Sequence, residues 1–314
     1  MKGKVIKSTG NWYATKTTTG QYIECRLKGK MRLEEIKLTN PVVVGDWVEI
    51  ENEIDSGDTV ISQIYPRENY IIRQSPRQKF HDHIIASNID QAILLVTIAK
   101  PRTSFGFMDR FLTAAACYHI PVSIVVNKAD LLSEKDKGKL KELHLIYEKL
   151  GYPIYVISVL QSTGIDEIKQ LLKNKCTLIA GHSGVGKSSL INVLDANVQI
   201  KTGKISSRWD KGMHTTTFAM LHELDDTTQI IDTPGIKEFA LTDVDPEELG
   251  GYFPEIYQRM SACQFNNCLH ENEPRCAVLR AVEEEEIHPD RYHSYLQILD
   301  NVREIKSYQK RLNP

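Results

Sequence analysis

The segment TLIAGHSGVGKSSLINVL sets Gly181, Gly186, Lys187 and Ser188 in the spacing G-x-x-x-x-G-K-S, between an apolar run and an amphipathic one. Glycines at this spacing let backbone N–H groups turn inward around phosphate oxygens at a helix N-terminus, where the helix dipole also favours an anion. The loop residues His182, Ser183, Gly184, Val185 and Ser189 belong to the same cradle. Lys187 would reach the β- and γ-phosphates, and the Ser188 hydroxyl would ligate Mg²⁺. His182 stands at a variable position of the loop and reads as backbone geometry with an incidental side chain.

The base is decided by VVNKAD, which puts Asn127, Lys128 and Asp130 at the end of another apolar run. A carboxylate at Asp130 can accept hydrogen bonds from guanine N1–H and its 2-amino group. Adenine has an acceptor at N1 and no 2-amino group, so it would leave the carboxylate unpaired. Asn127 would brace the loop, and the Lys128 stem would lie along the ring. Ser158 and Val159, after YPIYVI, fit a last guanine loop in which a backbone N–H meets the base oxygen. In IIDTPG, Asp232 fits an Mg²⁺ partner through water, and Gly235 an N–H that meets the γ-phosphate. KGMHTTTF carries Thr215, Thr216 and Thr217, any of which could close over Mg²⁺; Thr216 is taken as the ligand. The implied ligands are GTP or GDP with Mg²⁺.

The motifs run guanine loops, phosphate loop, switch I, switch II, whereas ordinary GTPases begin with the phosphate loop. The nucleotide domain is therefore expected to be circularly permuted, with sheet and pocket preserved. Switch II then runs directly into whatever follows it. Many GTPases place a glutamine after the switch II glycine to orient water; here that position is Ile236. His214, just before the threonine run, is the candidate for the catalytic role.

Cys263, Cys268, His270 and Cys276 offer three thiolates and an imidazole within a short span, the ligand set of one closed, structural Zn²⁺ site. The close spacing of Cys268 and His270, with no basic helix in register behind it, argues against a DNA-reading finger.

These residues need elements to position them. The fold class expected is α/β multidomain. Residues 1–65 read as short alternating strands of an OB-type β-barrel, and residues 66–85 as a polar, basic linker. Residues 86–240 alternate apolar runs with helical stretches, as a parallel-sheet P-loop GTPase domain requires. Residues 241–314 form an α-helical zinc-binding module. With 314 residues, 41% hydrophobic and 25% charged, the chain is ordinary globular protein. No stretch is apolar enough to cross a bilayer, and the cysteine pattern suits a reducing compartment, so a cytoplasmic, membrane-free monomer is expected.

The net charge of −2 hides an uneven distribution: residues 1–80 carry 13 Lys+Arg against 10 Asp+Glu, and residues 241–314 carry 8 against 14. The barrel's ECRLKGKMR and the RQSPRQK stretch could track a phosphate backbone, with Trp12, Tyr13, Tyr22 and Trp47 as possible stacking faces. For Trp47 a place in the core is the stronger expectation. The basic tail from 303 to 311 could add RNA contact, and the acidic run 283–286 reads as a solvated helix face.

Permuted G motifs, an N-terminal barrel and a C-terminal Cys/His cluster together resemble the RsgA family, also called YjeQ or YloQ. The resemblance extends over ECRLKGKMR, VGDWVEI, SNIDQAILL, FMDRFL, GHSGVGKSSLIN, HTTT, DTPG and the cluster at 263–276. It implies a GTPase that binds the small (30S) ribosomal subunit and its rRNA late in assembly and hydrolyses GTP when docked there. It also points to His214 as catalytic. From the residues alone, a signalling or transport-linked GTPase, or an RNA-binding factor using GTP only as a ligand, stays open. A pocket that reads guanine could also accept guanosine alarmones.

Overall fold

A computed structural model of the chain describes residues 1–10, 12–29, 41–53, 58–74, 82–195, 219–233 and 239–312. Five short strands come first: β1 (Lys2–Ser8), β2 (Tyr13–Thr17), β3 (Tyr22–Leu27), β4 (Trp47–Asn52) and β5 (Thr59–Ile64). They pair in the order β1-β2-β3-β5-β4, and β4 returns to β1, closing the barrel. Alternation makes this possible. Along β2, Tyr13, Thr15 and Thr17 point inward while Ala14 and Lys16 face out. The enclosed core holds Val5, Tyr13, Cys25, Val48, Ile50 and Ile61.

Residues 66–85, expected as a linker, instead contribute most of an antiparallel hairpin, β6 (Tyr70–Gln74) with β7 (Asp82–Ser87). Its polar composition hides a short buried stripe, since Ile71 and Ala86 face each other and are fully buried. The entry to this hairpin is also pinned. Asp46, fully buried, accepts two bonds from the Arg67 guanidinium (2.7 and 2.8 Å), one from Ser87 Oγ (2.6 Å) and one from Val43 N–H (2.9 Å). A buried carboxylate is tolerable only when satisfied in this way. Barrel and hairpin are thereby locked together.

The second domain is built on β8 (Gln91–Val96), β9 (Val122–Val126), β10 (Ile154–Val156), β11 (Cys176–Ala180), β12 (Met220–Glu223) and β13 (Gln229–Asp232). Their order is β10-β9-β8-β11-β13-β12, parallel except for β12. Strands β8, β9 and β11 are buried at every position, as continuous apolar runs covered on both faces must be. Helices α1 (Phe105–Cys117), α2 (Glu134–Tyr147), α3 (Ile165–Leu172) and α4 (Lys187–Leu194) supply the cover. From β8 the chain moves outward to β9 and β10, then returns to β11 on the other side of β8. The order therefore reverses between β8 and β11, which opens a crevice at the carboxyl ends of the strands.

Barrel and parallel sheet are continuous. Lys7 of β1 bridges Met220 of β12, the Lys16 ammonium binds both oxygens of Glu223 at 2.9 Å, and Tyr22 OH donates to the same carboxylate at 2.7 Å. Beyond β13, α5 (Pro254–Met260), α6 (Ala277–Glu283) and the 24-residue α7 (Pro289–Leu312) form the C-terminal module, with α7 packed along α1. The acidic run is a helix end rather than a helix face: Glu283 closes α6, Glu285 takes φ 58°, and Glu286 pairs with Arg259 at 2.9 Å. Among the described residues no helix is long and apolar enough to cross a membrane.

Candidate functional site

The crevice receives the loop between Ala180, the last residue of β11, and Lys187, the first of α4. Two of its glycines are steric requirements. A Cβ on Gly181 (φ 151°) would lie 2.3 Å from Leu95 O, and one on Gly186 (φ 105°) would lie 2.4 Å from Asn127 Nδ2. Lys187 Nζ folds back onto the carbonyls of Gly181 (2.7 Å) and His182 (3.0 Å), inside the curve of the loop. Ser183 is exposed, while Ser188 and Ser189 are half-buried on the first turn of α4.

Asp232 closes β13 beside this loop. Its Oδ1 is buried with no hydrogen-bond partner among the described residues. Burial pushes its carboxyl up to about 6, against the pull of the Lys187 ammonium. An orphaned carboxylate oxygen of this kind is costly unless a cation meets it, so Asp232 fits a partner of Mg²⁺ or of its water.

On the opposite wall, buried Asn127 ties two loops together. Its Nδ2 donates to Val185 O at 2.9 Å, and its Oδ1 accepts from Val159 N–H at 3.2 Å. Lys128 takes φ 64°, and its ammonium reaches Gly184 O (2.7 Å) and Lys100 O (2.6 Å). Its stem thus runs over the phosphate loop. The Ser158 hydroxyl donates to Asp130 Oδ1 and also accepts from Gln161 N–H at 3.1 Å. Asn127, Lys128, Asp130, Ser158 and Val159 therefore stand together with residues 181–187. His214, the threonines 215–217, Gly235 and Ile236 lie outside the described residues.

Sequence reasoning missed two features. The Ser158 side chain orients Asp130, whereas only its loop's backbone had drawn attention. The His182 ring lies stacked on Phe107 of α1, with centroids 3.7 Å apart and planes at 30°.

A second cluster stands apart from the crevice. Cys263, Cys268, His270 and Cys276 present ligand atoms that all lie within 4.8 Å of one another. Cys276 Sγ is 3.4 Å from His270 Nδ1 and 3.8 Å from Cys263 Sγ. Cys276 caps α6, accepting from Leu279 N–H through sulfur. Tyr292 OH and Tyr295 OH of α7 hold the carbonyls of His270 and Leu269 at 2.7 and 2.9 Å. Burial pushes the Cys268 thiol up to about 12. Four convergent soft ligands suit a zinc site. Elemental analysis should find one zinc per chain, and Cys276→Ser should lose it and unfold the α6–α7 end at lower denaturant; a metal-free chain with the module fully structured would contradict this.

A parallel sheet with its phosphate loop on β11, downstream of the guanine-reading loop on β9, defines a circularly permuted GTPase. Residues 64–242 match the RsgA GTPase family, and residues 2–61 match the RsgA N-terminal domain. The chain is 48% identical to the small ribosomal subunit biogenesis GTPase RsgA of Bacteroides fragilis, covering 98% of each chain. It is 45% identical to the protein of the same name from Flavobacterium johnsoniae, over 97% of this chain and 94% of that one. Among solved structures it resembles YjeQ from Thermotoga maritima, with TM-score 0.75 and 35% identity over 96% of this chain and 98% of that one. It also resembles YloQ, described as a circularly permuted GTPase, with TM-score 0.71 and 29% identity over 96% and 95%. The chain belongs to the RsgA family.

Proposed function

We propose that this chain binds the small ribosomal subunit late in its assembly and hydrolyses GTP when docked there. The observation that carries the reading is the near-complete coverage of relatives named small ribosomal subunit biogenesis GTPase. The crevice supplies matching chemistry. Asp130, held by Ser158, takes guanine N1–H and the 2-amino group, and Asn127 and Lys128 fix the loop beneath the base. Lys187 exchanges its loop carbonyls for β- and γ-phosphate oxygens. Ser188, Thr216 and Asp232 would hold Mg²⁺, which when bound offsets charge on the β- and γ-phosphates. Gly235 N–H meets the γ-phosphate. Cosedimentation with purified small subunits should be stronger with a non-hydrolysable GTP analogue than with GDP; equal or absent sedimentation would count against the reading.

Ile236 cannot orient water, so His214 takes that role. His214→Ala should lower subunit-stimulated turnover by about 100-fold, within the usual range for general acid–base groups, and leave GTP affinity nearly intact. Unchanged turnover would remove His214 from the mechanism.

The barrel suits RNA. Trp12 is 43% exposed with the Arg26 guanidinium 4.2 Å above its ring, and Tyr22 is 64% exposed. Trp47 is only half-buried, roofed by the ammonium groups of Lys2 and Lys4 at 4.8 and 5.7 Å, so it is a surface ring and not core. Cations laid on aromatic faces are what a nucleic-acid backbone and its bases meet together. The basic tail contributes less, because Arg303 is held by Glu271 and Lys306 by Asp245. The cytoplasm is the compartment that matches this role, and guanosine alarmones would compete for the same guanine loops.

A further inference from the structure

The His182 ring of the phosphate loop leans on another element rather than on the loop itself. It stacks on Phe107 at 3.7 Å. Phe107 in turn lies 6.2 Å from the ring of Phe239, which packs edge-on against Phe111 at 4.8 Å. Phe239 is fully buried and bridges Arg73 of the hairpin, so this aromatic wall is fixed from behind. On the other side, the carbonyls of Gly181 and His182 are the atoms that hold Lys187.

We propose that His182 is a positioning residue for the bound nucleotide: its ring, stacked on Phe107, anchors the start of the phosphate loop against α1. The inference rests on the guanine-nucleotide reading above. A loop with positive φ at Gly181, Gly184 and Gly186 loses much backbone freedom when it closes around phosphates. An anchor at its first non-glycine residue removes part of that loss beforehand. Burial and the nearby Lys187 ammonium hold the imidazole below its ordinary value, which disfavours the charged ring. The anchor therefore acts by stacking, and a phenyl ring can replace it.

The test is the dissociation rate of a fluorescent GDP analogue, with KM and kcat for GTP measured on the same full-length preparations. His182→Ala should release the nucleotide about 3- to 10-fold faster, the range that loss of one aromatic stack allows, and raise KM with little change in kcat. His182→Phe should restore both towards wild type. Phe107→Leu should resemble His182→Ala, and the double variant should add little to either, with circular dichroism checking that each variant is folded. If wild type binds guanine nucleotide and His182→Ala releases it at the wild-type rate, the positioning role is wrong while the nucleotide site stands. If His182→Phe behaves like His182→Ala, stacking is not the mechanism. If wild type binds no guanine nucleotide, the parent reading fails instead.

Discussion

Asp130→Asn should weaken GTP and GDP binding by about 100-fold and raise affinity for xanthosine nucleotides. Guanine offers two parallel donors, N1–H and the 2-amino group, to a carboxylate that Ser158 already holds by one oxygen. An amide keeps one acceptor and turns its NH₂ towards a donor. Losing a charge-assisted hydrogen bond and leaving a donor unmet costs about 3 kcal/mol, which is that factor of 100. Xanthine carries a carbonyl where guanine carries the amino group, so the amide then matches it donor for acceptor. Fluorescence titration with the two nucleotides reads both changes. Undiminished GTP affinity would place the base somewhere else.

The second large effect is expected far from the nucleotide. Arg291 of α7, 2% exposed, lies between two carboxylates: its Nε and Nη2 donate to Glu255 of α5 at 2.6 and 3.1 Å, and its Nη1 donates to Asp109 of α1 at 2.5 Å. Asp109 is fully buried and also accepts from Tyr147 OH at 2.7 Å. Burial pushes the Asp109 carboxyl up, and the Arg291 guanidinium is the main force holding it down. Arg291→Met fills similar space yet strands both carboxylates in the interior, a loss of about 3–5 kcal/mol. Urea unfolding should show it. Replacing Asp109 and Glu255 by apolar residues in the same chain should recover most of the loss, because the cost lies in the unpaired charges. A change under about 1 kcal/mol in the single variant would mean that water reaches the cluster.

This cluster also marks the limit of what the sequence makes legible. FMDRFL stands out as a string, but nothing within it says that Asp109 meets an arginine 182 positions later. Such a pair is set by how α7 lies on α1, which local pattern does not encode. The phosphate loop is readable because its glycines are demanded by close contacts with the Leu95 carbonyl and the Asn127 side-chain amide, so spacing and geometry are the same information. The four-ligand cluster is readable for a similar reason, since three thiols and an imidazole have little other cause to crowd together. The β6–β7 hairpin is hidden because, among its described residues, Ile71, Ile72 and Ala86 are the buried apolar side chains in an otherwise polar stretch. Trp47 misled because aromatic size argues for burial, whereas the lysines of β1 lie over its outer face. His182 was discounted because a variable loop position carries no pattern; its meaning comes from Phe107, on a helix reached through different strands.

The permuted order has a mechanical consequence. β13 carries Asp232, and within seven residues the chain has reached Phe239, packed on α1 and bridged to the hairpin, before entering the C-terminal Cys/His module. Its neighbour β12 is joined to the barrel through Glu223, Lys16 and Tyr22. Both outer domains are therefore tied to the β13 side of the sheet, the C-terminal module through the chain that leaves β13 and the barrel through its neighbour β12. Glu223→Gln should weaken the barrel's attachment without touching the guanine loops, lowering subunit-stimulated turnover while basal turnover stays unchanged. Equal loss of both rates would indicate general damage instead.

On the proposed reading, GTP turnover waits for the small ribosomal subunit. This is tested most directly by measuring GTP hydrolysis at saturating nucleotide with and without purified small subunits. A low basal rate that rises strongly when the subunits are added is the expected result. The same rate in both conditions, fast or absent, would contradict it.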